Sequence, residues 1–196
     1  MAQAPAWEPL FTAERYFALV DEGVLQPDDR VELLEGVIVA MPPQGTVHSA
    51  LVAVVAEELW RIAGDRAAIR SQSPLIVGTR SVPEPDVALV PGAQRDYFRE
   101  HPRTAFLVVE VANSSLPQDR LTKAAIYASA GIPEYWIVNV RDRSLEVLRK
   151  PDVRLRLYAD RRTAAADEVL TLVSLPDVRV PVALLLPPSD DDLLPD

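Results

Sequence analysis

Residues 105–127 read AFLVVEVANSSLPQDRLTKAAIY, and the order of strand, break and helix within them decides the fold. At a strand's period of two, Phe106, Val108 and Glu110 share one face and Leu107, Val109 and Val111 the other. Apolar residues on both faces mark a strand covered on both sides, inside a layered α/β domain. An ionised Glu110 there is unfavourable unless a metal ion or a lysine pairs with it. The chain breaks at Asn113 to Pro117 and resumes as a helix. On that helix Asp119, Lys123 and Tyr127 fall at i, i+4 and i+8 on one face. A strand carboxylate followed by a helix lysine is half of a site. The plainer readings are an ordinary Asp119–Lys123 helix pair, a core Tyr127, and a Glu110 paired with a buried arginine.

Outward from this stretch, Thr12 caps a helix running to about Gly23, with Tyr16, Leu19 and Val20 as its stripe. VELLEGVIVAM, residues 31–41, predicts a hairpin turning at Glu35-Gly36. After Pro42-Pro43-Gln44-Gly45, residues 46–62 are helical, with His48 in the first turn. Val47, Leu51, Val54, Val55 and Leu59 form the expected stripe, and Gly64 ends it. Residues 67–70 and 75–77 predict short strands. Asp86 opens another directly after Pro85, where proline is tolerated. Gly131-Ile132-Pro133 stops the helix before a buried-type strand over 134–140. Residues 145–148 and 155–158 alternate as outer strands, 169–173 forms a short strand, and 180–186 an ending segment. The order predicts an α/β domain with a mixed central β-sheet flanked by helices. It lacks the βαβαβ alternation of a dinucleotide fold, a Gly-rich phosphate loop, G-x-S-x-G and H-E-x-x-H.

With 196 residues the chain accommodates one domain with a sizeable core. We place an arm at 1–10, the domain at 11–187 and an acidic disordered tail at 188–196. There is no cysteine, so disulfides and zinc–thiolate sites are excluded. No apolar run is long enough for a membrane span, and no secretory leader opens the chain. A cytoplasmic protein is expected. The net charge of −9 argues against a general nucleic-acid binder but leaves room for a site-specific one. Residues 141–162 hold eight basic and four acidic side chains; the plain reading is a solvated face of both signs, the sharper one a phosphate-contacting strip.

Asp86 and Glu110 open and occupy neighbouring strand segments, so adjacent strands would bring their carboxylates together. Oxygen ligands without cysteine suit Mg²⁺ or Mn²⁺. Lys123 then stands ready to orient a water or stabilise a developing anion. The chain uses arginine almost everywhere, and Lys150 is its only other lysine. A lysine kept against that bias suggests a need for a compact, rotatable ammonium.

VELLEGVIVAMPP, His48, QSPLIV, PEPDVALV, LVVEVANSSLPQDRLTKAAIYASAGIPEYWIVNV and LEVLRKP resemble, in order and spacing, the Uma-two family of bacterial endonucleases. That family belongs to the PD-(D/E)XK restriction-endonuclease-like superfamily. The resemblance makes Pro85-Asp86 the PD element, Glu110 the second acidic ligand and the Val111 carbonyl a further metal ligand. The superfamily lysine normally sits two residues after the glutamate, where this chain has Ala112. Its counterpart here is Lys123. Glu32 and His48 match family positions at the site edge, against the plainer readings of a hairpin surface charge and a helix-start histidine. Gln72 matches without an assigned role. The resemblance implies a Mg²⁺- or Mn²⁺-dependent DNA endonuclease, acting as a homodimer. The alternative is a catalytically inactive nuclease-fold module for binding or assembly.

Overall fold

The chain's structure, a computed structural model, describes residues 10–26 and 28–188. Most of the expected arm (1–9) and acidic tail (189–196) lie outside the described residues. In chain order the elements are α1 (Ala13–Asp21), β1 (Val31–Leu34), β2 (Val37–Ala40), α2 (Thr46–Ala63), β3 (Ala68–Ser71), β4 (Val87–Val90) and β5 (Leu107–Ala112). A helix in three parts follows: α3 (Leu116–Gln118), a π-turn over Asp119–Lys123 and α4 (Ala124–Ser129). Then come β6 (Glu134–Asn139), β7 (Ser144–Asp152), β8 (Leu157–Ala164), β9 (Val169–Thr171) and β10 (Arg179–Pro181).

Strands β3 to β8 lie side by side in sequence order in a six-stranded sheet. Only β5 and β6 run parallel, and the three-part helix makes the crossover that a parallel pair requires. Every residue of β4, β5 and β6 is buried, as their continuous apolar sequences predict. Leu107, Val109 and Val111 face the layer formed by α2, where Leu51, Val55 and Leu59 pack. Val108 and Ala112 face the opposite layer, with Ala124, Tyr127 and Ala128 of α4. Each such Val or Leu contributes roughly 1.5–3 kcal/mol through burial, so the strand carrying Glu110 is firmly held.

Four expectations are corrected. The buried stripe of α2 is Leu51, Val52, Val55, Leu59 and Ala63, whereas Val47 and Val54 are exposed; the helix turns Val52 rather than Val54 toward the sheet. Residues 75–77 are buried but are not a strand. Their amides donate instead to Pro83, Pro102 and Ser81 carbonyls, because the surrounding prolines leave no regular partner edge. Strands β7 and β8 extend well beyond the four residues expected of each, since polar residues on an outer hairpin blur the alternation. The 180–186 segment begins with β10, which pairs antiparallel with β9. The Arg-rich stretch behaves as a paired face: Arg149 with Glu134 at 2.5 Å, Arg161 with Glu146 at 2.6 Å, Arg162 with Glu168 at 2.5 Å, and Arg156 with Glu35.

The β1–β2 turn constrains the sequence tightly. Glu35 and Gly36 have φ of 52° and 87°, both positive, as a two-residue type I′ loop demands. A Cβ on Gly36 would stand 2.6 Å from Leu10 Cβ and 3.2 Å from the Phe11 carbonyl oxygen. Gly36→Ala should therefore lower stability by about 1–3 kcal/mol. A urea midpoint that falls without a change in slope would register this, and an unchanged midpoint would contradict it.

Candidate active site

Antiparallel pairing sets Val87 opposite Val109, so Asp86, just before β4, comes level with Glu110. The Asp86 amide lies 3.4 Å from Glu110 Oε2. Asp86 is held from three directions. The Val111 N–H donates to its Oδ2 at 2.8 Å, while His48 Nε2 (3.2 Å) and Gln72 Nε2 (3.4 Å) approach Oδ1. Glu110 Oε1 accepts from Lys123 Nζ at 3.0 Å and from the Tyr127 hydroxyl at 2.8 Å. Lys123 Nζ also stands 3.4 Å from Glu32 Oε2, which accepts the Glu84 N–H at 3.1 Å. Glu32 is thus a buried partner of the lysine, not a hairpin surface charge.

Asp86, Glu110, Lys123, Glu32 and His48, drawn from five separate stretches of chain, line one cavity of about 100 Å³. Glu84 and Asp119 line it too. Glu84 received no role from the sequence. The signal was present in PEPD, because an acid two residues before Asp86 points the same way in extended chain. Tyr127 and Gln72, flagged without a role, each hold one of the two carboxylates.

The helix that follows β5 differs from the expected plain α-helix. The Ala124 N–H reaches back five residues to the Asp119 carbonyl, the spacing of a π-turn, and such turns recur at functional sites. The extra residue brings Asp119 and Lys123 inward together, and both are buried. Among the described residues they form no i, i+4 ion pair. Instead Asp119 Oδ2 is buried without a hydrogen-bond partner.

Burial governs the electrostatics. It pushes the Glu110 carboxyl well up, against the opposing pull of Lys123. It raises Glu84 to about 7, with help from Glu32. It raises Asp119 to about 6, although Lys123 and a Ser115 hydrogen bond oppose it. Burial alone would lower Lys123, but the carboxylates of Glu110 and Glu32 more than reverse this and keep it an ammonium. The hydrogen bond to Asp86 raises His48, and a backbone interaction with Val111 adds to that.

Five carboxyl groups therefore line the cavity with the Lys123 ammonium, the Arg30 guanidinium and the His48 imidazole, an excess of acidic groups that a further cation would relieve. Among the described residues no three His, Cys, Asp or Glu side chains already form a metal-holding group. A dication would rest on the Asp86 and Glu110 carboxylates, with the Val111 carbonyl and waters available to complete the shell. The donors are hard oxygens and Asp119 Oδ2 lacks a partner. The residues present fit Mg²⁺ or Mn²⁺.

The Uma2 family model, described as "Putative restriction endonuclease", matches residues 13–183. The fold is similar to that in the "Crystal structure of a putative nuclease belonging to DUF820 from Anabaena variabilis ATCC 29413". The TM-score is 0.67 at 16% identity, over 85% of this chain and 96% of that one; at that identity the likeness concerns the fold. No curated protein matches the chain. Among the described residues no helix is long and apolar enough to cross a membrane.

Proposed function

Because the chain belongs to the Uma2 family, we propose that its acidic cavity hydrolyses phosphodiester bonds of DNA, with Mg²⁺ or Mn²⁺ held by Asp86 and Glu110. The observation that carries this reading is the Lys123 ammonium 3.0 Å from Glu110 Oε1, inside the cavity that Asp86 also lines. When bound, such an ion supplies Lewis acidity and offsets charge that develops on a phosphate.

The protein's own groups do the rest. Three hydrogen-bonding groups fix the Asp86 carboxylate, and Tyr127 with Lys123 fixes Glu110, so neither must reorganise as charge shifts. Lys123 faces the phosphoryl oxygens as a point charge and positions the attacking water. Glu32 keeps that ammonium charged and aimed. His48, whose protonated form the Asp86 hydrogen bond favours, gives its proton to the leaving oxygen, and the proton shed by the attacking water passes to solvent.

Proton linkage offers a test. Glu84 and Asp119 have folded values of about 7 and about 6, above their unfolded values. The folded state therefore binds the extra protons, and stability falls as pH rises. Their contribution is complete below the unfolded values and is lost as pH climbs through about 6 and about 7. His48, raised, adds to this slope, and His101, lowered by burial, subtracts from it. Without divalent ions the melting temperature should decline between pH 5 and 8, and saturating Mn²⁺ should flatten the decline. Calorimetric titration near pH 6.5, in buffers of different ionisation heat, should show proton release as the ion binds. Binding should vanish in Asp86→Ala and Glu110→Ala; unchanged binding in both would remove the metal from the proposal.

A further inference from the structure

A second and larger cavity, of about 570 Å³, adjoins the acidic one and falls within the roughly 300–1,000 Å³ of small-molecule sites. Arg30, Met41 and Glu84 line both cavities, so one occupant can span them. The far wall is aromatic. The Phe17 and His101 rings stack at 5.3 Å and 15°, and the Tyr16 hydroxyl donates to the Val31 carbonyl at 2.9 Å, which anchors its ring. The amides of Gln26 and Gln72 and the carboxylates of Asp21 and Glu84 line the same cavity, with Gln72 Nε2 3.4 Å from Asp86 Oδ1. A flat apolar platform edged by both donors and acceptors matches a nucleobase, which offers a π-face for stacking and a polar rim for hydrogen bonds.

We infer that this cavity takes the unpaired base of the nucleotide next to the phosphate held over Glu110 and Lys123. The inference rests on the nuclease reading of the adjoining cavity and narrows its substrate to single-stranded or locally unpaired nucleic acid. A base inside a duplex reaches such a pocket only by leaving its stack and its partner, which costs energy that a single strand does not need. Arg30 stands at the shared wall, close enough to Glu84 to favour its anion, and would meet the backbone between base and phosphate.

The test is equilibrium binding of a short single-stranded oligonucleotide carrying the fluorescent base 2-aminopurine, and of its blunt duplex, to the full chain in Ca²⁺. Phe17→Ala removes the platform. Val20→Trp plugs the cavity from an exposed position of α1 (42% exposed) and should melt like the wild type, so loss of binding there is not loss of fold. The expected result is tighter single-strand binding by about tenfold or more, quenched fluorescence, and a loss of roughly tenfold in each variant. Equal affinity for strand and duplex, or a Val20→Trp protein that binds like the wild type, would overturn the inference. So would a free nucleoside monophosphate binding as tightly as the strand. Cleavage separates the two claims: a protein that binds this way yet cuts nothing keeps the base site and loses the nuclease reading. A protein that cuts strand and duplex alike, with Val20→Trp unaffected, does the reverse.

Discussion

Lys123→Met is expected to lose about 3–5 kcal/mol of stability at neutral pH, the usual effect of removing one partner from a buried ion pair. Nζ is the cation within 3.0 Å of Glu110 and 3.4 Å of Glu32, and the lysine side chain is only 9% exposed. Without it both buried carboxyl groups lose the cation beside them and must take up protons to remain inside. Adding Glu110→Gln to Lys123→Met should restore much of the loss, because the stranded charge disappears together with its partner. Cleavage should fall by about 10²–10³-fold in Lys123→Met, on the scale of losing one pre-aimed electrostatic group. It should not return in the Glu110→Gln double variant. Lys123→Arg should fail as well, since a planar fork does not fit where a compact ammonium is enclosed by two carboxylates and a tyrosine. Chemical denaturation of the single and double variants checks the stability part. A Lys123→Met protein as stable as the wild type would show that the ammonium does not hold Glu110.

Glu110→Gln alone is expected to leave stability nearly unchanged, because Lys123 keeps Glu32 at 3.4 Å, and to cost more activity. Burial already makes the Glu110 anion unfavourable, and glutamine keeps the shape and an acceptor for Tyr127. The variant should melt within a few degrees of the wild type, with a shallower decline between pH 5 and 8. Cleavage should drop by about 10³-fold or more, corresponding to the several kcal/mol a bound dication supplies to a phosphoryl transition state. Stability retained while activity vanishes is what a strained functional site produces. A Glu110→Gln protein that still cuts at near the wild-type rate would place the chemistry elsewhere.

The sequence made the centre of the molecule legible and its periphery much less so. Strands β4, β5 and β6 announce themselves because residues buried on both faces read as unbroken apolar runs, and Asp86 and Glu110 stand out as charges within or beside those runs. Lys123 stood out against an arginine background. Glu84 could have been found from its place two residues before Asp86, but Gln72 and Tyr127 carry no comparable contrast. Their roles depend on which segments come to lie against Asp86 and Glu110, and residue spacing does not encode that. Glu32 shows the same limit, since a hairpin glutamate becomes a buried partner only once the β1–β2 hairpin packs beside the sheet. The π-turn was hidden for a different reason. Asp119, Lys123 and Tyr127 suit an i, i+4, i+8 face so well that ordinary helical spacing conceals the extra residue. On α2 the misreading was one of phase: with valine at 47, 52, 54 and 55, hydrophobicity alone does not choose which two face the sheet.

If Asp86, Glu110 and Lys123 form one hydrolytic centre, loss of the Asp86 charge alone stops the chemistry. Single-turnover cleavage of an end-labelled single-stranded oligonucleotide in Mn²⁺, with the wild type beside Asp86→Asn at matched folded concentration, measures this. The wild type should break phosphodiester bonds, and Asp86→Asn should do so at least about 10³-fold more slowly. Equal rates in the two proteins, or an intact oligonucleotide with the wild type, would contradict it.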